Sequence, residues 1–222
     1  MTRSRAALSA AALMTSLALA LASCSSGDSG DSKPAKDAPE RALTKQFTQG
    51  EITQAIPEGQ DAPADYQLGN LDKGLPGTAD DCAHAEGEEP AGWTRGGDTD
   101  YHYQGSTRSR MMDLSICQFD TAAHAQSAFS AWTHREGLTK HELNAKVGEA
   151  TTFLINEESG SAYAYARSGT VNIEVTIQDA GGDVTDAHDM LAATLKRLQQ
   201  VQAGKRPTAT AAEEAAKAEQ QQ

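Results

Sequence analysis

The segment TVNIEVTIQD, residues 170–179, alternates without a fault. Val171, Ile173, Val175 and Ile177 occupy one phase, and Asn172, Glu174, Thr176 and Gln178 the other. A period of two sends successive side chains to opposite faces, so this is a strand with one buried face and one wet face. Clean alternation of that kind belongs to antiparallel sheets, because parallel strands are buried on both faces. The chain is therefore constrained to an α+β fold: an antiparallel sheet with helices packed on one face.

Neighbouring segments agree. Tyr163 and Tyr165 alternate with alanines in SAYAYAR, and Ser168-Gly169 reads as a two-residue turn into the strand above. EATTFLIN is a further strand, and Met112, Leu114 and Ile116 alternate in RSRMMDLSICQFD. Two helices follow strands. Ala125, Ala128, Phe129 and Trp132 share one helical face, with Asp120 or Thr121 as cap and Gly137 as stop. Ala187, Met190, Leu191, Leu195 and Leu198 share another. Thr48 and Glu51 have capping-box spacing, which predicts a short first helix with Phe47 stapled to Ile52 and an end at Pro57 and Gly59. The Gly-, Pro- and Asp-rich stretch from Gln60 to Gly105 is expected to be mostly loop.

The first residues are of another kind. Arg3 and Arg5 precede an apolar run over Ala6–Ala20, the n- and h-regions of a secretory signal, too short for a membrane span. Leu21-Ala22-Ser23-Cys24 resembles a bacterial lipobox. That resemblance implies cleavage before Cys24, a diacylglyceryl thioether on its sulfur and a fatty acyl chain such as palmitate. Two or three chains at about 0.8 kcal/mol per buried methylene hold firmly to a bilayer. From Ser25 to about Glu40 only Ser, Gly, Asp, Lys and Pro recur, a composition that cannot offset its chain entropy. The predicted plan is a lipoprotein signal peptide over 1–23, a flexible linker over 24–40, one α+β domain over 41–203, and a disordered polar tail over 204–222.

The full chain carries 19 basic and 31 acidic residues. Loss of Arg3 and Arg5 with the signal makes the mature balance still more acidic. This excludes nucleic acid as a partner and leaves the lipid as the means of membrane attachment. Besides Cys24, the cysteines are Cys82 and Cys117. Outside the cytoplasm they most simply pair with each other, contributing roughly 3–4 kcal/mol by loop entropy; free thiols or a metal pair are the alternative.

A lipobox, a polar linker, a cysteine before and another within the strand preceding DTAAHAQSAFSAW, then VGEATTF, ARSGTVNIEVTI and a closing amphipathic helix together resemble small actinobacterial envelope lipoproteins. Their domain is similar to the extracellular sensor domain of actinobacterial receptor Ser/Thr kinases. The resemblance spans about Asp80 to Val201 and implies an α+β sandwich, a disulfide and a binding role. The chain has no kinase portion and no second cysteine pair, so signalling is not carried over.

No chemical motif points to a reaction. HELNA begins like a zinc protease motif, but Ala145 stands where the second His belongs. No nucleophile elbow and no phosphate-binding glycine loop occurs. DDCAHAEGEE, with Asp80, Asp81, His84, Glu86, Glu88 and Glu89, reads as a solvated acidic loop beside a disulfide. No catalytic residue, metal or cofactor is expected. Tyr101 and Tyr103 are the candidate lining of a shallow groove, together with Tyr163 and Tyr165, and Trp93 is the candidate exposed contact. The expected function is a lipid-anchored extracytoplasmic binding or sensor-like protein on the outer side of the cell membrane. Its partner is an envelope protein, a lipid or a wall precursor. The alternatives are an envelope hydrolase with a carboxylate site and an assembly partner in an envelope complex.

Overall fold

The computed structural model describes residues 41–69, 75–83, 89–105, 110–143 and 146–220. The signal segment, Cys24, the linker and the loop residues His84, Glu86 and Glu88 lie outside them. All eight strands form one antiparallel sheet: β1 (Tyr66–Leu68), β2 (Leu75–Gly77), β3 (Trp93–Tyr103), β4 (Met111–Phe119), β5 (Thr139–His141), β6 (Ala150–Asn156), β7 (Ser161–Ser168) and β8 (Val171–Ile177). The order is β1-β3-β4-β8-β7-β6-β5, with β2 also paired to β3. The helices are α1 (Gln49–Ala55), α2 (Ala122–Thr133), α3 (Thr185–Gln202) and α4 (Ala211–Glu219).

The expected α+β class, antiparallel sheet and single disulfide are borne out. The expected phase of β8 holds too: Val171, Ile173, Val175 and Ile177 are buried with Met112, Leu114, Ile116 and alanines 162, 164 and 166. Over this face lie Ala187, Met190, Leu191, Leu195 and Leu198 of α3, and Ile52 and Ala55 of α1. The Thr48–Glu51 capping box forms, and Phe47 and Ile52 are both buried. Helix α1 seats on β3 because Gly97 has no side chain there; a Cβ would stand 2.6 Å from Ile52 Cγ2.

Helices on one face only, however, is not what the fold adopts. Helix α2 packs on the opposite face, where Phe129 and Trp132 join Cys82, Cys117, Phe119, Leu154 and Tyr165 in a second cluster. The Asn172 side chain, in the wet phase of β8, donates to Ala125 O of α2 at 2.9 Å. A second apolar cluster was hidden because only a few large residues supply it. The Cys82–Cys117 disulfide ties the 3-10 turn Asp80–Cys82 to β4 beneath α2, with Cα atoms 5.8 Å apart.

Three further corrections follow. The stretch expected to be mostly loop contains β3, an 11-residue strand; its glycines and aspartates lower β propensity, but pairing on both sides overrides that. The turn between β7 and β8 is Gly169-Thr170, since Ser168 pairs with Val171. At Gly169 (φ +56°) a Cβ would collide with Leu43 O, so the N-terminal segment can cross this turn only at a glycine.

The third concerns the tail, which forms a helix. Thr210 and Glu213 make a capping box for α4, and Ala209 and Ala211 are buried. What docks it is Arg197 of α3, 3% exposed. Its guanidinium donates to Ala55 O (3.0 Å), Asp61 (3.1 Å) and Ala209 O (3.1 Å), with longer bonds to Gln54 O and Ile56 O. The tail needs no apolar stripe because one buried cation gathers carbonyls from two segments and the Asp61 carboxylate from a third.

Candidate functional site

The register decides which side chains can act together. Tyr101 pairs with Met112, Met112 with Ile177, and Ile177 with Ala162, so Tyr101 lies in a row on the α3 face. Asp100 pairs with Asp113, Asp113 with Thr176, and Thr176 with Tyr163, so Tyr163 lies in a row on the α2 face. The expected groove of Tyr101, Tyr103, Tyr163 and Tyr165 therefore does not form: the pairs sit on opposite sides of one sheet.

Burial separates them further. Tyr101 is fully buried, and its hydroxyl donates to Pro57 O at 2.7 Å. Tyr165 is fully buried against Trp132, ring centroids 6.0 Å apart, with Arg135 donating to its oxygen at 3.1 Å. Both are core residues and leave the list of binding candidates. Trp93 packs against the disulfide cluster, and its Nε1 is buried without a partner. Tyr103 and Tyr163 stay partly exposed. Tyr103 tilts onto Tyr66 at 5.2 Å with Arg110 over its ring at 5.2 Å, and Tyr163 lies under Arg135 at 5.5 Å. Each already holds an intramolecular cation.

The α2 face carries something that the sequence reading passed over. Helix α2 covers the Asn172 row and, in the next row, Tyr165. The rest of that row exposes Glu174 of β8, Ser115 of β4 and Asp98 of β3; the row beyond it carries Thr176, Asp113 and Asp100, and His102 follows on β3, all half-buried. Asp100 faces Asp113 directly across the ladder, an arrangement of like charges that costs stability. Ser115 donates to Asp98 at 2.8 Å, His102 lies 2.9 Å from Asp100 Oδ2, and Arg135 approaches Glu174 at 3.8 Å. Asp100 Oδ1 is buried without a partner.

These neighbours alter the acids. Burial pushes the Asp98 carboxyl up, with Asp81 and Asp100 adding to it and the Ser115 bond opposing. Burial likewise raises Asp113, with Asp98 and Asp100 adding to it. Burial raises Glu174 against the pull of Arg135. Shifted carboxyls on one face mark a surface shaped for contact with charge. Four acids flanked by one arginine and one histidine attract a cation or hold a proton. Among the described residues no group of three His, Cys, Asp or Glu side chains is placed to hold a metal ion. The signal was present in DTD (Asp98 and Asp100) and in the polar phases of β4 and β8, but only strand pairing makes them adjacent.

A carboxyl held above its ordinary value binds protons more readily folded than unfolded. Its contribution to stability is therefore lost as pH rises from the ordinary carboxylate range through the raised value. Asp113→Asn should raise the melting temperature at neutral pH and flatten the decline of stability above about pH 4. Thermal melts across pH test this; a lower melting temperature at neutral pH would show that the charge is stabilising.

A separate cleft of about 690 Å³ lies between α1 and the segment after α3, lined by Glu51, Glu58, Asp61, Arg197, Lys205 and Arg206 among others. Its central cation, Arg197, is already committed to five oxygens. This makes the cleft a seam of the fold.

No family model matches the sequence, and no curated protein matches it. The chain is similar to the crystal structure of the extracellular domain of PknH from Mycobacterium tuberculosis, at 15% identity and a TM-score of 0.47, over 69% of this chain and 97% of that one.

Proposed function

We infer that this chain is a lipid-anchored extracytoplasmic binding protein whose recognition surface is the open acidic half of the α2 face, and that it engages a cationic segment of another envelope protein. The observation that carries the reading is the row of facing carboxylates. Asp98, Asp100, Asp113 and Glu174 are kept half-buried side by side, at a cost in stability that the fold itself does not require. A cationic partner would relieve that repulsion on binding. The lipobox ending at Cys24 supports a location on the extracytoplasmic side of the cell membrane, and so does a disulfide within the core, which persists in oxidising compartments.

Two measurements test the reading. Fatty-acid labelling should mark the wild type and leave Cys24→Ala unlabelled; equal labelling of both would remove the lipid anchor. A fluorescent oligolysine peptide should bind the purified domain. The triple change Asp98→Asn, Asp100→Asn, Asp113→Asn should weaken binding by about tenfold or more, each lost charge contact being worth on the order of 1 kcal/mol. Unchanged affinity in a folded triple variant would reject the acidic face as the recognition surface.

The raised carboxyls also favour a second reading, an envelope hydrolase in which Asp98 or Asp113 serves as general acid. Turnover of envelope glycans or esters by the purified domain, abolished by Asp113→Asn, would establish that reading in place of the first.

A further inference from the structure

The charges of the domain are sorted along α3. At its N-terminal end stand Asp183, Asp186 and Asp189; burial raises the Asp186 carboxyl, with Asp183, Asp189 and Asp65 adding to it. Arg110, 4.0 Å from Asp186, is the cation there. At the C-terminal end the N-terminal segment is bound into the last turn. Gln199 donates to Arg41 O (3.4 Å) and Gln202 to Ala42 O (3.1 Å), while Thr44 N and Lys45 N donate to Gln202 Oε1. Lys205 N then closes onto Gln200 O at 2.8 Å. Arg41, Lys205 and Arg206 are thereby gathered at one end, all exposed. None of the three has an ion-pair partner among the described residues. The acids nearby are largely spoken for, Glu51 by Lys45 (2.5 Å) and Asp61 by Arg197 (3.1 Å), with Glu58 in the same cleft. The two ends of an 18-residue helix are about 27 Å apart, more than three Debye lengths at physiological salt.

We propose that Arg41, Lys205 and Arg206 form a docking surface for an anionic bilayer, which holds the domain with the C-terminal end of α3 toward the membrane and the N-terminal end outward. The proposal rests on the anchoring half of the function above. Residues 25–40 separate Cys24 from Arg41, and the chain enters the domain at the same end as the free cations. The overall acidity of the chain does not oppose this. It disfavours the approach to anionic headgroups of the acidic faces, among them the Asp98–Asp113 surface and the N-terminal end of α3. Each Lys or Arg near such a surface biases orientation about fivefold.

The test imposes the anchor chemically, so that its outcome does not depend on natural lipidation. Cys82 and Cys117 are bridged, which leaves Cys24 as the one free thiol of the chain from residue 24 onward. That thiol is coupled to a maleimide lipid in nanodiscs of phosphatidylcholine, with or without phosphatidylglycerol and a trace of gadolinium-chelating lipid. Amide signals of residues 41–45 and 199–206 should broaden more in the anionic discs than in the neutral ones. Those of residues 183–189 should broaden less. The triple reversal Arg41→Glu, Lys205→Glu, Arg206→Glu, or salt at about 0.5 M, should erase the difference. Identical profiles in neutral and anionic discs, or a difference that survives the triple reversal in a folded protein, would overturn the proposal. Failure of fatty-acid labelling with a positive result here would leave the surface intact and remove only its natural tether.

Discussion

Arg197→Ala is expected to destabilise the domain by about 3–5 kcal/mol, the range for removing one partner of a buried charged network. The side chain is 3% exposed and bonds to Gln54, Ala55, Ile56, Asp61 and Ala209. Its loss leaves four carbonyls and a carboxylate facing a void, and buried groups left unpaired account for most of the cost. The change should also release the segment after α3, because Ala209 O is one of its ligands. Hydrogen exchange should therefore rise across α4 and α1 well before global unfolding. Deleting residues 209–222 should be destabilising too, and in the Arg197→Ala background it should cost little more, since the two changes act on one network. Chemical denaturation of the two single variants and the double variant reads this directly. Full additivity would mean that α4 is held by contacts independent of Arg197.

The second large effect falls on the other face. Trp132→Ala should cost about 3–5 kcal/mol, the range for emptying a large buried aromatic site. Trp132 is 3% exposed, stacks obliquely on Tyr165 and donates its indole N–H to Cys82 O at 3.1 Å. The hole would open beside the disulfide and beneath α2, away from the cluster under α3. Exchange protection should accordingly fall first in α2 and the adjoining end of β4, with β8 and α3 following only at global unfolding. A calorimetric melt gives the magnitude and hydrogen exchange gives the location. A loss below about 1 kcal/mol would mean that the α2 cluster does not behave as core.

The two variants probe two kinds of information. Trp132 could be identified as core from sequence because it falls at i+7 from Ala125, on a face that also holds Ala128 and Phe129. Arg197 could not be, since an arginine on an amphipathic helix ordinarily points to water and its five oxygen partners come from distant parts of the chain. The tail was misjudged for the same reason. Its docking depends on the Ala209 carbonyl held by Arg197, on the Gln200 side chain bonded to Thr208 and Ala209, and on two small residues, Ala209 and Ala211, which leave no periodic trace.

The sequence by itself determined most of the elements: the capping box at Thr48, the strands of period two from β4 onward, the two amphipathic helices and the cysteine pair. Each of these is encoded within a few neighbouring residues, where backbone periodicity and local hydrogen bonding do the selecting. Only the tertiary structure decided which elements share a face. Tyr101 and Tyr163 read alike in sequence, as tyrosines in alternating strands, yet one is core beneath α1 and the other borders an acidic surface. A strand's alternation states that it has two faces without stating which face is which. That parity comes from the register between strands far apart in the chain. The same register sets Asp98, Asp100, Asp113 and Glu174 on one face, and it is there that burial, with neighbouring acids adding to it, raises the Asp98, Asp113 and Glu174 carboxyls and makes a candidate site.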